Sequence, residues 1–222
     1  MHTHKDWSSI PSPGHIAAGL AFGTALAAAT DLPPRYTPEP RRAVHDDGGG
    51  SSFVLDLTGA APVLVTRDHD EREVLLTYED IRAALGLSEL PGPFAHERDA
   101  VFSGAARWDG SAWTSAVGVP GRVVTHTVDD RHLLTEADIA LGEIADGESD
   151  PDALAALLAS VRAGTWDRDT VAAAVRLSPY EDDEELDAEP DPDAALEALE
   201  LYAPLLDNAA GRDRGTPPPD GR

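Results

Sequence analysis

Short apolar runs bounded by polar clusters fill the middle of the chain. Phe53 to Leu57 leads into Val63 to Thr66, the polar group Asp68-His69-Asp70-Glu71 follows, and Val74 to Leu76 returns. Runs of this length between turn-forming residues predict strands. Thr77 then caps a short helix in which Ile81, Ala84 and Leu85 share one face. Asp80, three residues on, supplies a short capping box, and Gly86 supplies the stop. Pro91-Gly92-Pro93 predicts an ordered or semi-rigid loop. Val101 to Trp108 and Ala112 to Val117 flank Asp109-Gly110-Ser111, a strong hairpin signal, with Trp108 and Trp113 placed to pack across the ladder.

The same letters recur downstream. Val65-Thr66, Asp70-Glu71-Arg72, Leu75-Leu76-Thr77 and Asp80-Ile81 are matched by Val124-Thr125, Asp129-Asp130-Arg131, Leu133-Leu134-Thr135 and Asp138-Ile139, with the spacing slipping by one residue. The pattern predicts two copies of a strand, an acidic turn, a returning strand and a capped helix. The expected fold class is therefore α+β: an antiparallel sheet built from a duplicated β-hairpin-helix unit over residues 53–147, followed by a short C-terminal helical region.

The flanks differ from this core. Ser12-Pro13 opens and Pro33-Pro34 closes an Ala-rich stretch, which predicts a helix within residues 1–30. The uncharged run Ile16 to Ala29, ending in Ala25-Leu26-Ala27, also has the look of a signal-peptidase site. No positive cluster precedes it, since Lys5 is balanced by Asp6, and the run is too short to span a bilayer. Pro33, Pro34, Pro38 and Pro40, followed by Asp46-Asp47-Gly48-Gly49-Gly50, predict a linker over 31–52. Asp150-Pro151, with Leu154, Leu157, Leu158 and Val161, and then Asp167 with Val171, predict a helical hairpin over 148–178, its second helix running to Leu177. Over 179–208 an acidic segment precedes a terminal helix that Pro204 ends or kinks, and 209–222 has the composition of a disordered tail.

Charge narrows the function classes. The 222 residues carry 41 acidic against 17 basic side chains, a formal charge of -24, with Arg41-Arg42 the one adjacent basic pair. Such a field repels phosphate backbones and anionic membranes, so neither nucleic acid nor a membrane is an expected partner. With no cysteine, disulfides, thiolate metal sites and cysteine nucleophiles are excluded. No Gly-rich phosphate cradle, serine elbow or zinc-protease helix is present, and no cofactor is expected.

Candidate chemistry concentrates in the two acidic turns. Asp68, His69 and Asp70 in the first, and His126, Asp129, Asp130 and His132 in the second, offer N and O ligands for a divalent cation if the turns face each other. Turns also collect Asp and His for conformational reasons alone. A second candidate is the run at 181–193, which holds nine acids and no base; its Glu181, Asp182, Asp183, Glu184, Glu185 and Asp187 are candidates for contact with a basic protein surface.

Thr66 to Leu87, with the helix Tyr78-Glu79-Asp80-Ile81-Arg82-Ala83-Ala84-Leu85-Gly86-Leu87, loosely resembles the hairpin-helix units of swapped-hairpin transcription factors and, equally, the amino-terminal domains of phage antirepressors. It lacks the Gly-Arg pair and Ile-Pro step of the former and the basic surface DNA demands, so no family is identified. The leading expectation is a cytoplasmic, non-catalytic protein that engages a basic protein partner. The alternatives are a cation-dependent hydrolase using His126 and His132, and an acidic DNA mimic or transcription-regulator-like hairpin-helix protein.

Overall fold

The computed structural model describes residues 6–32, 36–71, 74–145, 147–179 and 189–213. It is an α+β chain. The described residues of Met1–Ala17, Arg35–Val128 and Pro204–Arg222 form one compact unit, and those of Ala18–Pro34 and Asp129–Ala203 form another. Among the described residues, no helix is long and apolar enough to cross a membrane.

The first unit is built on a six-stranded antiparallel sheet. Strands β1 (Tyr36–Glu39), β2 (Arg42–Asp46), β3 (Ser52–Asp56) and β4 (Val63–Arg67) run as a meander. The chain then leaves the sheet through β5 (Leu76–Thr77), α2 (Tyr78–Leu85), a 3-10 turn (Gly92–His96) and β6 (Val101–Phe102), after which β7 (Gly104–Trp108) pairs with β4 and β8 (Trp113–Gly118) closes the order β1-β2-β3-β4-β7-β8. The excursion covers one face of the sheet. Val54, Val65 and Ala105 on that face pack with Tyr78, Ile81 and Leu85 of α2 and with Leu90, Phe94 and Phe102.

The opposite face, with Ala43, His45, Phe53, Leu55, Leu64 and Ala106, is buried as well. A further helix, α3 (Gly121–Val128), packs on β3 and β4. At the β8 edge, the indole N–H of Trp7 donates to the Gly118 carbonyl at 3.0 Å and that of Trp113 to the Pro11 carbonyl at 2.7 Å. These bonds lay the N-terminal segment along the edge strand. Trp108 and Trp113 meet edge to face at 5.4 Å across the hairpin that Asp109-Gly110-Ser111 turns.

The second unit is mainly helical. Its elements are the Ala18–Ala29 part of α1 (Pro13–Ala29), α4 (Asp130–Ala145), α5 (Pro151–Ala163), α6 (Arg168–Ala174) and the first half of α7 (Pro192–Asp213), with a two-stranded ribbon of β9 (Gly147–Ser149) and β10 (Leu177–Pro179). Asp150 accepts backbone N–H bonds from Asp152 and Ala153 at the start of α5, and Gly164 ends it in the left-handed conformation. Asp167 caps α6 through the Thr170 N–H at 2.8 Å. Tyr202 of α7 and Thr24 of α1, both buried, bond through their hydroxyls at 3.2 Å.

The duplicated hairpin-helix unit is not what forms, and neither copy makes the expected hairpin. In the first, β5 does not return along β4, whose two flanks are taken by β3 and β7. It pairs instead with β6, Leu76 opposite Phe102 and Thr77 opposite Val101. In the second, Val124-Thr125 lies in α3, and Leu133, Leu134, Thr135 and Asp138 all lie in α4. Burial explains the switch. Val123, Val124, Thr127 and Val128 are buried while Arg122 and His126 are less so, a helical rather than an alternating pattern. The β-branched residues of α3 tolerate the helix because packing on the sheet outweighs their intrinsic preference. Thr125 and Thr127 return their hydroxyls to the carbonyls of Gly121 and Val123.

The predicted linker also differs from what forms. Residues 36–46 supply edge strand β1 and its neighbour β2, with Pro38 on β1, where a missing N–H is tolerated. Gly48 to Gly50 make the β2–β3 hairpin loop. Its N–H groups at Gly48, Gly49 and Ser51 are held by the Asp46 and Asp47 carboxylates. Helix α6 stops at Ala174 because residues 177–179 turn to pair with β9, and α7 continues through Pro204 to Asp213.

Candidate interaction surface

The first acidic turn is organised around one buried carboxylate. Asp68 follows β4 and sits at the amino end of α3, where it accepts the backbone N–H of Arg122. It also accepts the Asp70 N–H at 3.0 Å and the Ser51 hydroxyl at 3.4 Å, while Ser51 Oγ in turn accepts the His69 N–H at 3.0 Å. Asp68 thus acts as an N-cap supplied from 54 residues away in sequence. The approach is close. Gly121 has φ +73°, and a Cβ there would lie 2.8 Å from the Asp68 carboxylate. Asp70 is exposed and pairs with the Arg122 guanidinium at 3.3 Å, and His69 is exposed.

The second set is used differently. His126 lies half-buried on α3. Asp129 caps α4 by accepting the His132 N–H at 3.0 Å, and His132 Nε2 lies 4.0 Å from Glu136 one turn on. Asp130 holds Arg162 in a two-pronged pair, one arm at 2.6 Å. Asp68, His69, Asp70 and His126 belong to the first compact unit, and Asp129, Asp130 and His132 to the second. Among the described residues, no three His, Asp or Glu side chains form a group that could hold a metal ion. The acidic candidates Glu181, Asp182, Asp183, Glu184, Glu185 and Asp187 lie outside the described residues.

The surface itself is defined by how arginine is spent. Arg42 faces Glu39 and Asp56, Arg67 faces Glu97, Arg82 faces Glu79, Arg98 faces Glu79 and Glu89, Arg122 faces Asp70, Arg162 faces Asp130 and Arg168 faces Asp193. Two of these cations are further drawn over aromatic rings, Arg67 over Phe94 at 5.7 Å and Arg98 over Tyr78 at 4.2 Å. With 41 acids to 17 bases, pairing of this kind leaves carboxylates in surplus at the surface. Several of them are held firmly ionised. Hydrogen bonds from the Thr77 hydroxyl and N–H lower the pKa of Asp80 below its ordinary 3.8. The N–H groups of Ala112 and Ser111 do the same for Asp109, and that of Thr170 for Asp167.

Sequence reasoning missed two features. The Asp68–Arg122 bond joins loops that no local pattern connects. The other is an outward apolar face on the β5–β6 ribbon, where Leu75 and Val101 are 63% and 50% exposed while their neighbours Leu76 and Phe102 turn to the core. With two residues per strand, alternation was too short to say which side would face inward.

Comparison with protein-family models, with curated proteins and with solved structures finds no match to this chain.

Proposed function

We propose that the protein is a non-catalytic interaction protein whose acidic surface engages a basic protein partner. The observation that carries this reading is the local neutralisation of arginine. Arg42, Arg67, Arg82, Arg98, Arg122, Arg162 and Arg168 are tied to carboxylates, and with 41 acids to 17 bases the surplus charge is negative. A cationic partner is drawn in by that field, so its association slows as salt screens it beyond about 8–10 Å at physiological ionic strength.

The test is cross-linking and capture on the full chain at low salt, with association rates then followed as salt rises. A basic partner whose association rate falls with salt supports the reading. Recovery of no protein partner at low salt ends it. Competition with DNA for the captured partner separates a mimic of nucleic acid from a surface directed at protein.

A further inference from the structure

Among the described residues, the exposed large apolar side chains are Leu32, Leu75, Val101, Ile139 and Leu201. Single exposed apolar side chains, such as Ile139 on α4 and Leu201 on α7, need no special explanation. The β5–β6 ribbon is different, because Thr77 pairs directly with Val101, so these two side chains share its outward side. Leu75, immediately before β5, is exposed as well. The inward partners, Leu76 and Phe102, are packed against the core, so the ribbon is anchored.

The rim of this face is acidic. The Asp80 carboxylate is bound to the Thr77 N–H at 2.9 Å and hydroxyl at 2.7 Å, which fixes a negative charge beside the Thr77–Val101 pair. Asp99, exposed, lies two residues before Val101. The nearby cation, Arg98, is folded back over Tyr78 and towards Glu79 and Glu89. Exposed apolar side chains with acidic ones beside them match a segment with the inverse pattern.

We propose that the outward face formed by Leu75, Thr77 and Val101 docks a basic amphipathic segment of a partner protein, the apolar side chains of the segment covering Leu75 and Val101 and its lysines or arginines meeting Asp80 and Asp99. The proposal rests on the acidic-surface reading above and assigns that reading a place. A second copy of this chain fits less well, since it would bring the same rim and another net charge of -24 against its own.

The test uses the full chain and two labelled probes of equal charge: a peptide of alternating lysine and leucine, and oligolysine. At low ionic strength the native protein binds the lysine-leucine peptide at least about tenfold more tightly than oligolysine. In the Leu75→Ser/Val101→Thr double variant that preference disappears while oligolysine binding stays, and Leu201→Ser retains the preference. Independently of any variant, the bound peptide slows amide exchange in residues 74–77 and 100–103 of the native chain. A preference that persists in the folded double variant, or protection that falls elsewhere, overturns the docking face and leaves the acidic-surface reading standing. Failure of the native chain to bind either probe removes both. Concentration-dependent dimers of the native chain that vanish in the double variant identify a second copy as the occupant and overturn the proposed one.

Discussion

Two stretches of this chain share their letters and differ in structure until the helices that hold Asp80-Ile81 and Asp138-Ile139. Val65-Thr66 is the centre of a sheet, with Val65 buried between Val54 and Ala105 on neighbouring strands, and Thr77 begins a helix. Val124-Thr125 is helical, and Thr135 stands in the sixth position of another helix, bonding its hydroxyl back to Arg131 at 2.8 Å. The common letters include Asp and Thr, which suit turns and helix starts, and Val, Leu and Ile, which strands and helices alike can bury, so they serve either context. What separates the two stretches is the company each keeps. β4 arrives between two strands that satisfy its backbone on both sides. α3 follows Pro120, begins at Gly121 and receives its cap from a distant loop.

The contrast is broken most strongly at that cap. Asp68 is buried and accepts three hydrogen bonds from protein donors, so Asp68→Ala leaves the Arg122 and Asp70 N–H groups without their acceptor. The expected loss is about 3 kcal/mol. Asp129→Ala, in the second stretch, removes an ordinary local cap and costs about 1 kcal/mol. Gly121→Ala gives a loss of about 2–4 kcal/mol, since a Cβ is opposed both by φ +73° and by the Asp68 carboxylate. Amide exchange resolved along α3 and α4 checks all three; equal effects of Asp68→Ala and Asp129→Ala would make the distal cap no stronger than the local one.

A smaller effect separates the two threonines. Thr77 caps α2, its hydroxyl accepting the Asp80 N–H while the Asp80 carboxylate accepts the Thr77 N–H. Thr77→Ala therefore costs about 1 kcal/mol. Thr135 is an exposed interior position of α4, and replacement by alanine, the best helix former, is neutral or stabilising by about 0.5 kcal/mol. Denaturation shows Thr77→Ala destabilised and Thr135→Ala unchanged or stabilised; a loss at Thr135→Ala equal to that at Thr77→Ala would make it a cap as well.

What the sequence made legible follows from the range of the interactions. The capping box at Thr77, the Asp150-Pro151 start, the Gly86 and Gly164 stops and the Asp109-Gly110 turn are settled within a few residues, and each appears as expected. The pairing of β5 with β6 rather than β4, the distal cap on α3 and the use of residues 36–46 as sheet edge depend on neighbours far along the chain or on a proline tolerated only at an edge. The helical spacing of Val123, Val124, Thr127 and Val128 was present, but the β-branched side chains and the apparent repeat both pointed to a strand. At the candidate surface, the excess of acid was visible in composition. The outward turn of Leu75 and Val101 was not, because it is fixed by which of two adjacent side chains the core accepts.

The finest distinction between the two helix starts is electrostatic. In the first stretch, the Thr77 hydroxyl and N–H bind the ionised Asp80 carboxylate and lower its pKa from 3.8. A carboxylate whose folded pKa lies below its unfolded one contributes stability that is fully present above the unfolded value and disappears as pH falls through the folded one. The start of α2 therefore holds at neutral pH and loosens as the pH drops below 3.8, when protonation removes the acceptor for the Thr77 N–H. Because Asp80 is fully exposed, solvent weakens the interaction and the change is confined to the first turn. Amide exchange at Thr77, followed between about pH 5 and about pH 3 and corrected for the intrinsic rate, registers the loss. In Asp80→Asn the pH-dependent step is absent, because no titrating group remains at the cap. A step of unchanged size in that variant would assign the acid sensitivity of α2 to another carboxylate and leave the Thr77–Asp80 box as geometry without linkage.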